Sequence, residues 1–252
     1  MQSLGNQGGP RAPGGMAMTN TRRSLPAACT RVAGPPLSRS FYNRTASKVA
    51  RDLLGCWLVH RPRGNGRLLI GRIVETEAYV GERDRACHAH AGRTARNAIM
   101  YGPPGHAYVY FIYGMYDMLN VVCQPEGVPE AVLIRALEPL EGVEIMRRRR
   151  MRHGAARRTR GDAVRGMRRD LHLASGPGKL CRALAVTRRA HDGMDLTTGT
   201  LWIASAARQR GERIARGPRI GVDYAGADAL RLLRFWLAGN PHVSRPARSP
   251  RG

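Results

Sequence analysis

The sequence predicts an α+β fold: a single compact domain around an antiparallel or mixed β-sheet with surrounding helices. Three observations lead there. The chain has 252 residues, enough for one well-buried domain or two small ones at most. Helix-like and strand-like runs are interspersed without regular βαβ alternation, and no internal repeat is visible. No window approaches the roughly 18 consecutive apolar residues of a membrane span, so no membrane partner is expected.

The elements follow in order. Residues 1–38 contain no acid, and the first acidic residue is Asp52. They are rich in Gly, Pro, Ser and Arg and are expected to be a disordered N-terminal extension. An Arg-rich, acid-poor start also fits a transit peptide, but "GNQGGPRAPGG" would break its helix. The lack of a signal peptide points to the cytoplasm and nucleoid. A globular domain is expected over 39–244, with 245–252 as a flexible tail. "TASKVARDLLGCWLV" reads as a short helix with Val49 and Leu53 on its apolar side and Gly55 as its stop. "RLLIGRIVETEAYV" reads as a strand, and "GRTARNAIMYGPPGH" as a loop broken by Pro103 and Pro104. Two β-like runs, 107–113 and 117–123, flank Gly114. "EAVLIRALEP" is another strand. Residues 147–169 hold eleven arginines and one acid, Asp162, and read as an Arg-rich loop or arm. "SGPGKLCRALAV" looks like a helix start, with Ser175 as cap and Pro177 in the first turn. "DLTTGTLWIA" and "RIGVDYAG" read as strands, and "LRFWLAGNPHVS" closes the core.

The net charge is +24, and lysine occurs only at Lys48 and Lys179, so 40 of the 42 basic residues are arginine. Such a surface seeks polyanions, and nucleic acid is the default partner. The five cysteines are odd in number, widely spaced and without a C-x-x-C. That disfavours a disulfide framework or a zinc ribbon and fits a reducing compartment.

Three stretches carry candidate chemistry. In "IVETEAYVG", strand alternation places Glu75, Glu77 and Tyr79 on one face and Thr76 and Ala78 on the other. Two carboxylates beside a ring could supply a general base; a solvent-facing strand edge is the alternative. In "RACHAHAG", the cluster Cys87, His88 and His90 has no second ligand group, so a neutral hydrogen-bonding histidine is a better reading than a metal site. "AYVYFIYGMYDMLN" holds four of the eight tyrosines. Tyr108, Tyr110 and Ile112 share one face; Val109, Phe111 and Tyr113 share the other. Tyr113 precedes Gly114, where a tight turn would present its ring at a protruding tip. A ring there could wedge between bases; packing in a core is the alternative.

Taken together, "RIVETEAYVG", "HAHAGRTARNAIMYGPPGHAYVYFIYGMYDMLNVV", "VLIRALEPLEG" and "SGPGKLCRALAV" resemble the alkyladenine, or 3-methyladenine, DNA glycosylase family. The resemblance runs over roughly residues 41–244. It implies a single α+β domain with an antiparallel sheet, not a helix-hairpin-helix fold. It implies excision of alkylated or deaminated purines (3-methyladenine, 7-methylguanine, hypoxanthine, ethenoadenine) from damaged double-stranded DNA, with no cofactor and no metal. Glu77 matches the general base that activates water, and Arg135 an arginine beside that water. Tyr79, His88 and Tyr110 match the pocket for the flipped base. Asn120 matches the residue that crowds the exocyclic amine of guanine. Tyr113 matches the ring that fills the gap in the duplex, and Met115 a tip residue near DNA. Tyr108 is expected in the core, and Tyr116 has no assignment.

A flipped base is cut with a build-up of positive charge on the sugar, which a carboxylate stabilises. Glycosylases that also nick the strand use an amine nucleophile. Only Lys48 and Lys179 offer side-chain amines, so a monofunctional enzyme that leaves an abasic site is expected, acting as a monomer. The rival reading is a non-catalytic basic nucleic-acid-binding protein on the same fold.

Overall fold

The computed structural model describes residues 33–62, 67–151 and 170–244. The chain is already paired with the sheet at Pro36 and Leu37, ahead of the boundary expected at residue 39. The expectations for residues 1–32, for 152–169 of the Arg-rich stretch and for the tail 245–252 lie outside the described residues.

In chain order the elements are α1 (Arg39–Tyr42), α2 (Ala46–Asp52), β1 (Trp57–His60), β2 (Leu69–Val80), β3 (Ala107–Ile112), β4 (Tyr116–Cys123), β5 (Glu130–Glu141), α3 (Val143–Met151), α4 (Pro177–Leu184), α5 (Arg188–His191), β6 (Leu201–Ala204), β7 (Ile214–Gly217) and β8 (Arg234–Leu237). Short 3-10 turns cover Gly81–Arg83, Ala98–Tyr101 and Asp223–Leu230. The strands run in the order β3-β4-β5-β2-β1-β6, with β8 on β2 and β7 on β8. Every described strand pair is antiparallel. The residues described all fall in one compact unit, Val32–Gly252. This is the predicted α+β architecture, and no helix-hairpin-helix occurs among the described residues.

Strand β2 is the spine. Its first half pairs with β1 from Leu69 to Arg72, and its second half pairs with β8 from Glu75 to Glu77. The sheet separates two environments, as strand alternation requires. Val74 and Ala78 of β2 and Val109 of β3 join the main core, with Val49 and Leu53 of α2 and Leu180 and Leu184 of α4. Each such valine or leucine side chain contributes about 1.5–3 kcal/mol by leaving water. Tyr108 belongs to a second cluster with Cys87, Met100, Val122 and Ala131, against which Tyr79 and Tyr110 pack.

Several local expectations are corrected. Helix α2 ends at Asp52, and Trp57–His60 turns into a strand beyond Gly55, whose φ is +94°. At the start of α2, for which no cap was expected, the Ala46 N–H donates to Glu130 Oε2 of β5 at 2.7 Å. Ser175 does not cap α4. It is bridged to Ala136 of β5, and Gly176, at φ +136°, takes the cap position. "RIGVDYAG" is not a strand. Its first part is turned away from the sheet by Pro218 and Gly221, and its second part enters the 3-10 turn; the strand lies earlier, at β7. Of "DLTTGTLWIA" only Leu201–Ala204 is a strand, because Asp195 Oδ1 accepts from the Thr197 N–H and hydroxyl and holds a turn.

Candidate active site

The carboxylates of β2 are wholly buried, which removes the reading of a solvent-facing edge. Two irregularities aim the groups that neutralise them. Ile73 faces Leu137 and Glu75 faces Ala136, so Val74 is an extra residue on β2. Thr76 then faces Ile134, so Arg135 is an extra residue on β5. A bulge bends its strand and re-aims a side chain, and such features concentrate beside active sites. From this bulge the Arg135 Nε donates to Glu75 Oε1 at 3.0 Å and its Nη1 meets Glu77 Oε2 at 3.1 Å.

The two carboxylates differ in what else they hold. Glu75 Oε1 also accepts from Arg234 Nε (2.6 Å) and the Ser244 hydroxyl (2.9 Å), and Oε2 from the Ser244 N–H (2.6 Å). It ties β2, β5, β8 and the segment after β8 together. Glu77 accepts the Tyr79 hydroxyl on Oε2 (2.9 Å) and the Ile220 N–H on Oε1 (2.7 Å). Burial opposes the charge of Arg135, but Glu77 and then Glu75 outweigh it and raise its pKa. Burial, and then the neighbouring Glu77, push the Tyr79 hydroxyl well above its usual value, so Tyr79 remains a donor.

Arg135, Tyr79 and Ile220 also line a cavity of about 250 Å³. Glu77 stands directly behind this wall. The cavity is walled by rings: His88 and Tyr110 meet at 4.5 Å and 69°, and Tyr108 and Tyr110 at 5.6 Å. The His88 Nδ1 shares a 2.8 Å hydrogen bond with the Tyr108 hydroxyl. Burial, with Arg96 nearby, lowers the His88 pKa, so the ring is neutral at neutral pH. The loop that carries His88 is pinned by Asn97, whose Nδ2 donates to the His88 and Gly92 carbonyls at 2.8 and 2.9 Å. Asn120 lines the cavity from β4, with its Nδ2 turned toward the Tyr108 carbonyl at 3.2 Å.

A buried ion pair backs this wall. Arg219 and Asp84 are both fully buried and joined through two hydrogen bonds, of 2.5 and 2.7 Å. Arg219 also donates to the Ala78 carbonyl at 3.1 Å, and its guanidinium lies 4.9 Å from the centre of the Tyr79 ring. Burial works against the Asp84 carboxylate, but its bonds to Arg219 prevail and lower its pKa. Neither residue stood out in the sequence, because the pair joins positions 135 apart.

At the mouth, β3 and β4 are joined by Tyr113, Gly114 and Met115. The Met115 N–H donates to the Ile112 carbonyl at 3.2 Å, and φ is +54° at Tyr113 and +65° at Gly114. Two positive φ values at the central positions are those of a type I′ hairpin turn. Gly114 adopts this without cost, but a tyrosine rarely does, and strained residues of this kind cluster at functional sites. The residue is 78% exposed. Across the mouth lies Tyr224, 71% exposed, whose hydroxyl donates to the Ala86 carbonyl at 3.4 Å. Sequence reasoning missed Tyr224 because its segment was read as a strand. Met115 is exposed but lines a neighbouring groove, not the cavity.

The structure therefore brings Tyr79, His88, Tyr110, Tyr113, Asn120 and Arg135 to one cavity, with Glu77 behind it, and leaves Met115 beside it. It also brings in Tyr108, expected only as core. Cys87 lines the cavity too, but burial pushes its thiol up to about 11, so it is protonated and unreactive. Among the described residues no group of three His, Cys, Asp or Glu side chains is arranged to hold a metal, and no helix is long and apolar enough to cross a membrane.

Comparison with known proteins bears on this arrangement. The profile of a family described as methylpurine-DNA glycosylase matches residues 40–241. A protein of Methanocella arvoryzae, provisionally named 3-methyladenine DNA glycosylase, is 50% identical over 214 residues, covering 84% of this chain and 98% of its own. Proteins with the same provisional name from Clostridium acetobutylicum and Carboxydothermus hydrogenoformans are 44% and 46% identical, covering 82% and 83% of this chain and 97% and 98% of their own.

Proposed function

This chain belongs to the methylpurine-DNA glycosylase family, and from that premise we propose that it excises damaged purines from duplex DNA with a water activated by Glu77. It is a hydrolase of N-glycosidic bonds, a DNA-repair enzyme of the base-excision type. The observation that carries the finer reading is the ring-walled cavity with a buried carboxylate behind one wall and an exposed tyrosine at its mouth.

A base stacked in a duplex cannot present its glycosidic bond to a buried carboxylate. It has to be extruded, at a cost of a few kcal/mol, least for damaged or poorly paired bases. In this reading Tyr113 enters the vacancy and stacks there. The extruded purine lies among Tyr79, Tyr110 and His88, which match its flat faces. A volume of about 250 Å³ supports a ligand of purine size. Asn120 crowds the exocyclic amine that normal guanine carries.

Cleavage builds positive charge on the sugar. Glu77 stabilises that charge and takes a proton from the attacking water, with Arg135 beside both. The fixed partners of Glu77 support this role. Tyr79 and the Ile220 N–H hold it from two sides, so little reorganisation is needed as charge develops. Cationic purines such as 3-methyladenine leave readily, while neutral ones such as hypoxanthine need a donor, and the neutral His88 is positioned to act on the leaving base. Neither Lys48 nor Lys179 lines the cavity, which supports simple hydrolysis to an abasic site. We also propose that the chain acts as a monomer in the cytoplasm.

The test is incubation with duplexes carrying one 3-methyladenine, 7-methylguanine, hypoxanthine or ethenoadenine. Abasic sites are expected, revealed as breaks only after alkali. Absence of abasic sites with every lesion would return the chain to the non-catalytic nucleic-acid binder.

A further inference from the structure

We propose that Arg219 and Asp84 are positioning residues for excision: their buried pair clamps the loop after β2 to the segment after β7 and so holds the Ile220 N–H against Glu77. This rests on the reading of Glu77 as the group that activates water.

A buried ion pair is poor evidence of stability in itself, because both charges have lost their water. This one is not even fully satisfied. Arg219 and Asp84 have no exposed side-chain surface, and the Arg219 Nε meets no partner among the described residues. Burial opposes the Arg219 cation, but the bonds to Asp84 outweigh it and raise its pKa. What the pair supplies is direction. A guanidinium is a rigid planar fork, so each bond it makes restricts the others.

Both ends of the pair are tied to the cavity wall. Asp84 Oδ2 accepts the Val80 N–H and Oδ1 the Ala86 N–H, each at 3.1 Å. That sets the loop from which Ala86 and His88 line the cavity. Arg219 Nη1 donates to the Ala78 carbonyl at 3.1 Å, and Nη2 to the Asp228 carbonyl at 3.2 Å. Ala78 stands between Glu77 and Tyr79, so the fork is registered on the backbone that carries both. The residue after Arg219 is Ile220, whose N–H reaches Glu77 Oε1 at 2.7 Å. Arg219 and Asp84 do not themselves line the cavity. They act through Ile220, and through Tyr79, whose ring centre lies 4.9 Å from the guanidinium. Reacting groups have to be held to about 0.5 Å by the residues behind them.

The decisive variant is Arg219→Lys. It keeps a charge beside Asp84 but cannot make the four bonds of the fork. Single-turnover excision should fall about 10²-fold, the loss expected for a misplacement of about 1 Å. Affinity for lesion duplex, carried mainly by phosphates, should stay near that of the parent. The double variant Arg219→Gln/Asp84→Asn leaves no uncompensated buried charge, so it should fold and lose the same activity. If Arg219→Lys does not fold, the double variant carries the test. In both, the Ile220 amide proton should move upfield as its bond to the carboxylate lengthens. Arg72→Lys is the control. It breaks a buried pair with Glu212, and Arg72 does not line the cavity. It should lower Tm and leave the excision rate per folded molecule unchanged. Parent excision in Arg219→Lys or in the double variant overturns the proposal, as does an equal loss of rate in Arg72→Lys. So does an Ile220 resonance that stays in place. If the parent chain excises no lesion, the glycosylase reading falls, and the Ile220 resonance alone decides the clamp.

Discussion

Arg135 Nη1 lies 3.1 Å from Glu77 Oε2, reaching it from the point where β5 carries one residue more than β2. The bulge sets Arg135 between the two buried glutamates, which share one face of β2. The same guanidinium serves an anchoring carboxylate, Glu75, and a candidate reactive one, Glu77. The two glutamates should therefore answer differently to the same substitution.

Glu77→Gln keeps the shape of the side chain and removes its basicity. Single-turnover excision should fall by at least about 10²–10⁴-fold, the range for loss of a general base. Affinity for lesion-bearing duplex should be kept. Excision near the parent rate would remove Glu77 from the mechanism.

Glu75→Gln strikes the anchor. A buried charge network that loses one member costs about 3–5 kcal/mol. The loss should appear in urea unfolding as a lower midpoint, well before any effect on the chemical step of the folded fraction. A stability equal to the parent would show that Arg135 and Arg234 do not depend on Glu75.

Tyr113 combines a strained backbone with an exposed ring, so its two contributions can be separated. Tyr113→Gly relieves the positive φ and deletes the ring, and should weaken binding to lesion duplex while leaving the fold at least as stable. Tyr224→Ala should weaken the same binding from the opposite rim. Stacking of a base on a ring is worth about 1–3 kcal/mol, a loss readable by fluorescence anisotropy. Unchanged affinity in either variant returns that ring to a surface role.

His60 and His191 make a buried pair on the far side of the sheet. The His60 Nδ1 bonds to the Leu184 carbonyl at 2.7 Å, and the two Nε2 atoms are 3.2 Å apart. One Nε2 must donate and the other accept, and burial lowers the pKa of both rings, so both are neutral at neutral pH. Burial lowers the His60 pKa to about 4 from an ordinary 6.5. The unfolded chain therefore binds the proton first as pH falls. Stability should be full above pH 6.5, decline between 6.5 and about 4, and lose about 3 kcal/mol from this residue by the lower limit. His60→Gln should flatten that part of the curve. An unfolding midpoint that falls with the parent slope in the variant would place the acid sensitivity elsewhere.

Strand alternation was enough to put Glu77 with Tyr79, and to separate Tyr110 from Val109, because those positions lie in regular stretches whose two faces meet different surroundings. It could not find Arg135 as the partner of both glutamates, since a bulge is a property of two strands and not of one. The Arg219–Asp84 pair was equally hidden, its members being far apart and each unremarkable in a chain so rich in arginine. Tyr224 was lost to a misread element: "RIGVDYAG" contains strand-like residues, but Pro218 and Gly221 turn the chain out of the sheet. The cap expected at Ser175 failed for a related reason. Ser175 is bridged to β5, so Gly176 takes the cap position.

Glu75 finds its last partners at Arg234 and Ser244, 159 and 169 positions further along. β2 is paired with β5 along its length, but the other edge of its second half has no strand partner until β8 arrives. During synthesis the carboxylates of β2 emerge early and wait, without their full complement of donors, for the final strand to leave the ribosome. Closures of this length are slow to form, because chain entropy is lost before the contacts reward it. Glu75 thus gains its full set of donors only after residues 234–244 have been made, so the network that joins β2, β5 and β8 closes late.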